Sequence, residues 1–282
     1  MKAFETTERI DLDRTFGFHR AGRFDPTATL EPGRFVKTFA CAGGLVRHTI
    51  EASPTAVRFC VEGDDACWST RLPFVDGYAA FAPHARHIAL RHMVRELWGL
   101  RFVRVPWLFD LACSVILQQR VRYEEAVAEW TRIAERYGTH GPLGHAFPAA
   151  QQLARLTPPQ LQTFGVDARR ATTLIRFARE VVTHRILDED TPAALAERLL
   201  AIPGIGPWTV GMLLSYGAGD RDAVPLGDLH LPRLVAQTFG DPRRPDDEHM
   251  LELLAPYAGE RGRVTRLIVH ASFSAPSLLH KR

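Results

Sequence analysis

Nothing in the 282 residues approaches the apolar length a helix needs to cross a bilayer. The opening stretch 1–14, MKAFETTERIDLDR, is polar and acidic and does not resemble a secretory signal. No membrane role and a cytoplasmic location are therefore expected. Cysteine is scarce: Cys41, Cys60, Cys67 and Cys113 all fall in the first half, at spacings that match no zinc or cluster pattern. They are read as reduced and structural. Charge of one sign is also lacking, since 35 Lys and Arg against 32 Asp and Glu leave only +3. Any surface for a polyanion must then come from local placement of charge. Internal repeats and low-complexity tracts are absent. With 46% apolar and 24% charged residues, the chain can build one large or two moderate domains with real cores.

Residues 34–40, 45–52 and 56–63 alternate apolar and polar positions and are separated by turn-like Ala-Gly-Gly and Ser-Pro-Thr, the pattern of antiparallel strands. Upstream, Ile10 to Phe18 and 23–27 read as a lead-in strand or loop and a helix start. Residues 77–98 look helical and include His84, His87 and His92. With no third ligand at suitable spacing these histidines read as solvated surface groups. Composition changes near residue 99. Beyond it come helical patterns at 107–119, 123–137 (closed by Gly138), 148–156, 158–164, 167–185 and 191–201, with no convincing strand. The expected fold class is α+β: residues 1–98 as a small N-terminal antiparallel sheet with helices, then residues 99–282 as an all-helical bundle.

The most informative stretch runs from Leu199 to Leu231. Its core, Ile202-Pro203-Gly204-Ile205-Gly206-Pro207-Trp208-Thr209, joins two apolar helical segments through two glycines that bracket one apolar residue. Glycine serves where the backbone takes positive φ or must approach something closely, and Pro207 suits the first turn of a helix. The amides opening that helix carry no evident side-chain cap, so they suit an anion such as a nucleic-acid phosphate. Asp228 follows twenty residues after Trp208, in Pro225-Leu226-Gly227-Asp228-Leu229. Together these parts resemble the helix-hairpin-helix (HhH-GPD) DNA glycosylase superfamily, with its Gly/Pro-rich loop and distal aspartate. Within it the likeness is greatest to the bacterial 3-methyladenine DNA glycosylase II branch and extends over the whole chain.

The resemblance implies that Asp228 is the catalytic carboxylate. It would stabilise positive charge on the sugar as the base leaves and would position water. Gly204, Ile205, Gly206, Trp208 and Thr209 are expected to bind DNA, through backbone amides and a Thr209 hydroxyl near one phosphate. Gln118 and Gln119 end a helix as in the family, and the following residue, which wedges into the duplex there, is Arg120 in this chain. An arginine can stack in the vacated space and bond the orphaned base, where an aliphatic wedge only fills it. Arg169, Arg170, Arg176, Arg179 and Arg185 are read as a solvated helix face. Trp107, Trp208 and Met212 are expected to line the substrate pocket, with Phe16, Phe18 and Tyr216 as further aromatic candidates.

Trp208 stands where bifunctional relatives carry a lysine, which implies base release without strand cleavage. Lys37 and the N-terminus are the other amines considered for attack on the sugar. The implied substrate is duplex DNA with a damaged base, an alkylated purine such as 3-methyladenine, flipped out of the stack. No cofactor or catalytic metal is expected. The family allows a structural monovalent cation at the hairpin, and the absence of cysteine after Cys113 excludes an iron–sulfur cluster there. A monomer is expected, nucleoid-associated in a bacterium. Two alternatives stay open: a glycosylase/lyase acting on oxidised purines, opposed by Trp208, and a non-enzymatic hairpin module binding DNA structure, opposed by Asp228.

Overall fold

The computed structural model describes residues 2–6, 10–41, 44–63, 81–82, 85–188, 191–243 and 245–280. Five strands open the chain: β1 (Lys2–Thr6), β2 (Ala28–Glu31), β3 (Arg34–Cys41), β4 (Gly44–Ala52) and β5 (Val57–Gly63). They form one antiparallel sheet in the order β1-β5-β4-β3-β2. The three alternating segments of the sequence are its centre. The two outer strands, β1 and β2, add to them. Register places Phe35 opposite Ile50 and Ile50 opposite Phe59, all buried, so a row of apolar side chains crosses the inner face. Between β1 and β2 the lead-in segment is a helix, α1 (Leu12–Phe16), whose N-terminus is capped by Asp11 accepting from the Arg14 amide.

Helices follow: α2 (Ile88–Glu96), α3 (Leu108–Leu117), α4 (Tyr123–Tyr137), α5 (Ala150–Leu153), α6 (Pro158–Gln162), α7 (Ala168–His184), α8 (Pro192–Leu200), α9 (Pro207–Tyr216), α10 (Leu231–Phe239), α11 (Asp247–Leu254) and α12 (Arg261–Ser274). Helix α3 is buried on almost every face, as its nearly unbroken apolar sequence requires. Helix α4 instead buries one stripe, Ala126, Glu129, Trp130, Ile133 and Ala134, at helical spacing. No helix among the described residues is long and apolar enough to cross a membrane.

Two apolar cores result. The first joins the inner face of the sheet to α3, α4, α7 and α9. The second joins α2 to α10, α11 and α12. Helix α2, placed before residue 99 by the reading of the sequence, thus packs with the end of the chain.

Three expectations are corrected here. The region after residue 99 is not wholly helical, because β6 (Thr139–Gly141) and β7 (Gly144–Ala146) form a two-stranded ribbon that packs against β3. Its strands are three residues long and glycine-bearing, too short for alternation to register. Cys41 is disulfide-bonded rather than reduced, while Cys60 and Cys113 are free; Cys67 lies outside the described residues. His87 is half-buried against Phe239, with ring centroids 5.0 Å apart, and burial lowers its pKa, so it is not a solvated surface group. His84 and most of 77–84 lie outside the described residues.

Candidate active site

The hairpin is formed as the sequence suggests, with α8 and α9 meeting through residues 201–206. Gly204 takes φ +103°, and a Cβ there would run into the side chain of Thr173 on α7. Gly206 is different: it is the N-cap of α9 at φ −114°, and a Cβ there would meet nothing within 4 Å. No side chain caps α9, so its first amides are left without a side-chain partner, as an anion site requires. Ile205 itself is buried, and its amide donates to the Ile202 carbonyl at 3.0 Å.

Beyond α9 the chain returns through 218–227 to Asp228. Gly211 on α9 and Gly262 on α12 leave room for this return: a Cβ on either would come 2.5 Å from backbone atoms of 223–225. Asp228 then sits just ahead of α10. Its Oδ1 accepts from the amides of His230 and Leu231, each at 2.9 Å, and its Oδ2 accepts from the Trp208 indole Nε1 at 2.9 Å. The carboxylate is thereby oriented from two directions, by the helix start on the second core and by the hairpin on the first. It remains half-buried and open on one side.

Trp208, Met212 and Tyr216 lie at intervals of four on one face of α9. Phe18, half-exposed after α1, lies against Tyr216 with ring centroids 4.3 Å apart and the planes tilted by 36°. The Arg266 guanidinium lies 4.4 Å from the centroid of the same Tyr216 ring and 4.6 Å from that of Phe102. Burial pushes the Tyr216 phenol above its ordinary pKa; Arg266 pulls it back and the Asp228 charge adds to the rise. Asp228, Trp208, Tyr216 and Phe18 therefore form one connected group where the two cores meet. Arg266, a buried cation against this group, carried no signal in the sequence because its aromatic partners are remote in the chain.

Several expected roles change. Trp107 is not beside Asp228 but in the first core: it is 2% exposed, donates from Nε1 to His19 Nδ1 at 3.0 Å, and packs among Phe16, Phe35, Phe39 and His48. Phe16 is likewise core. The Thr209 hydroxyl, expected at a phosphate, is buried and accepts from Gln119 Nε2 at 2.9 Å. The same Gln119 nitrogen donates to the Gly204 carbonyl at 3.1 Å, so Gln119 clamps the end of α3 to the hairpin. Gln118 folds back on Ser114. Arg120, by contrast, is exposed in the left-handed region at φ 57°, at the turn from α3 to α4. Arg170 is not a solvated member of its array but a buried one, bound in fork geometry to Glu129 at 2.6 and 2.8 Å. Lys37 is no candidate nucleophile: it is 1% exposed and paired with Asp110 at 3.1 Å, tying β3 to α3. Burial pushes the Asp110 pKa up to about 6 against the pull of Lys37.

Among the described residues no cluster of His, Cys, Asp or Glu could hold a metal ion.

Comparison with known proteins agrees with this geometry. Residues 113–258 match the family model of the HhH-GPD superfamily of base excision DNA repair proteins. A probable bifunctional transcriptional activator/DNA repair enzyme AlkA of Mycobacterium tuberculosis is 35% identical over 159 residues, which is 54% of this chain and 32% of that protein. A DNA-3-methyladenine glycosylase of Bacillus subtilis is 26% identical over 177 residues, 60% of this chain and 58% of that protein. The chain thus spans less than two thirds of either relative. Among solved structures, the 3-methyladenine DNA glycosylase of Archaeoglobus fulgidus superposes with TM-score 0.78 at 18% identity, covering 97% of this chain and 99% of that one. The 8-oxoguanine glycosylase/lyase of Clostridium acetobutylicum gives 0.72 at 15% identity, covering 96% of each. These two show a shared fold that runs the length of the chain. With the hairpin, the distal aspartate and a family match over half its length, the chain belongs to the HhH-GPD superfamily of base excision DNA repair proteins.

Proposed function

We propose that this protein is a monofunctional DNA glycosylase that flips a damaged base out of duplex DNA and hydrolyses its N-glycosidic bond, with alkylated purines such as 3-methyladenine as substrates. The observation that carries the reading is the Asp228 carboxylate, half-buried and held by two backbone amides and the Trp208 indole. As the base departs with the bonding electrons, C1′ of the sugar acquires positive charge. A fixed carboxylate beside it lowers that barrier without reorganising, and the same group orients the water whose oxygen bonds to C1′. The half-exposed Phe18 ring, backed by Tyr216, offers a face for the extruded ring. Alkylated purines are favoured by the likeness to the B. subtilis DNA-3-methyladenine glycosylase, and by the lability of a base already carrying ring charge.

Trp208 replaces the amine that a lyase requires. Lysine occurs in the chain only at positions 2, 37 and 281, and Lys37 is locked in its buried ion pair. A monovalent cation at the hairpin would be held by backbone carbonyls. Those of Ile202, Pro203 and Gly204 already accept from Ile205, Arg176 and Gln119, which leaves that of Ile205 within the loop. Its part would be to neutralise phosphate.

The test is base release from duplexes that each carry one defined lesion, compared between the wild type and Asp228→Asn. Release by the wild type that the variant lacks supports the reading. Equal release by a folded variant overturns the role of Asp228.

A further inference from the structure

Phe24 is 83% exposed, yet the loop that carries it is anchored on both sides. The buried carboxylate of Asp25 accepts from the Ala21 amide at 2.7 Å, from the amide and hydroxyl of Thr27 at 2.8 Å each, and from the Trp130 indole at 3.0 Å. On its other side the loop is fastened to the first turn of α4. The Gly22 amide donates to the Tyr123 hydroxyl at 3.2 Å, and that hydroxyl donates to the Arg20 carbonyl at 3.3 Å. Gly22 also lies so close to Val127 that a Cβ would meet its side chain at 2.7 Å. A large apolar ring is thus held out in water by a rigid support, where its exposure costs stability and fluctuation cannot hide it.

The location gives the ring a partner. Tyr123 begins α4 three residues after Arg120, the exposed residue at the α3–α4 turn. Arg23 is exposed beside the ring, its guanidinium 5.8 Å from the Phe24 centroid, while Arg122 is neutralised by Glu125 at 2.8 Å. Two exposed cations, Arg23 beside the ring and Arg120 three residues ahead of the Tyr123 that fastens this loop, therefore lie on the two joined segments, and Arg120 directly follows the hairpin clamp at Gln119. Cations beside an aromatic that stands clear of the surface are what a nucleic acid with unstacked bases is bound by.

We propose that Phe24 is a second DNA-inserting side chain, which stacks on a base of the strand opposite the flipped nucleotide while Arg120 enters at the vacated position. The inference rests on the DNA-glycosylase reading above and adds a strand-sensing contact to it.

The test uses the full chain and a duplex containing a tetrahydrofuran abasic analogue, with fluorescent 2-aminopurine placed opposite it and, in separate duplexes, at each flanking position of the complementary strand. The wild type should change 2-aminopurine emission at one of these positions. Phe24→Ala should abolish that change at saturating protein and weaken binding about fivefold or more; Phe24→Trp should restore both. Thermal unfolding of both variants should match the wild type, since the ring is 83% exposed. Wild-type emission and affinity in Phe24→Ala would overturn the proposal, and so would weakened binding with unchanged emission, which would mean a backbone contact without stacking. Base release by the wild type, measured in parallel on a lesion duplex, reports on the glycosylase reading separately, because the emission experiment requires no catalysis.

Discussion

Asp228 shows what one residue gains from its surroundings. Both carboxylate oxygens are used for orientation, Oδ1 at the start of α10 and Oδ2 at Trp208. In Asp228→Asn the amide oxygen can keep the two backbone bonds, but the amide nitrogen then faces the indole N–H, donor against donor. Stability should fall by about 1 kcal/mol. The single-turnover rate of base release should fall about 100-fold or more, while DNA affinity measured by titration stays level or rises slightly. A variant that loses affinity and rate together would mean that Asp228 serves binding. Single residues were legible in the sequence where their context is local. Asp228 stood out by its distance from the hairpin, and Trp208 by its place in it. Trp107 was misjudged because an aromatic ahead of a helix suits a pocket or a core equally; only the sheet, with Phe35, Phe39 and His48, decides between them. Lys37 and Arg170 were hidden for another reason. The carboxylates that bury them, Asp110 and Glu129, lie on other elements, and pairing at such separation leaves no spacing to read.

At the scale of elements, the hairpin separates two glycines that look equivalent in sequence. Gly206→Val places its side chain in open space at an ordinary φ, so the folded state should be unharmed and the melting temperature close to the wild type. The branched Cβ would stand between the α9 amides and an incoming phosphate, and affinity should drop alike for lesion-bearing and undamaged duplexes, because phosphate contacts carry no sequence information. Gly204→Val meets Thr173 at positive φ and should lower the melting temperature instead. Melting curves beside binding titrations check both, and loss confined to lesion duplexes for Gly206→Val would place the hairpin at the base. The elements themselves were largely readable. Strands β3 to β5 and helices α3 to α9 follow from periodicity and from stops such as Gly138 after α4. Strands β1 and β2 were not, since their pairing partners, rather than their own alternation, define them.

The whole molecule joins two cores, and its buried histidines set its response to acid. Burial lowers the pKa of His19 and His270 to about 3 and of His48 to about 4. Unfolding returns each toward 6.5, so near pH 5 the unfolded chain binds three protons that the folded one excludes. Asp110 opposes this. Its folded pKa of about 6 lets the native state hold one proton that the unfolded chain releases above pH 4. Between pH 6 and 4 unfolding should therefore take up about two protons net, and stability should fall as pH falls, by about 1.4 kcal/mol per proton per pH unit. Melting temperatures across this range check the sign; a rise on acidification would mean that these histidines are protonated in the fold. Replacing His48 with a neutral polar residue should flatten the slope.

The central claim is that this chain releases a base and leaves the strand whole. It is tested most directly by incubating the enzyme with an end-labelled lesion duplex in the presence of borohydride, then scoring released base, strand length before and after hot alkali, and any covalent protein–DNA band. The account expects free base, a full-length strand that breaks only in alkali, and no trapped adduct, because Trp208 offers no amine and Lys37 is buried with Asp110. A borohydride-trapped adduct, with strand cleavage before alkali, would contradict it.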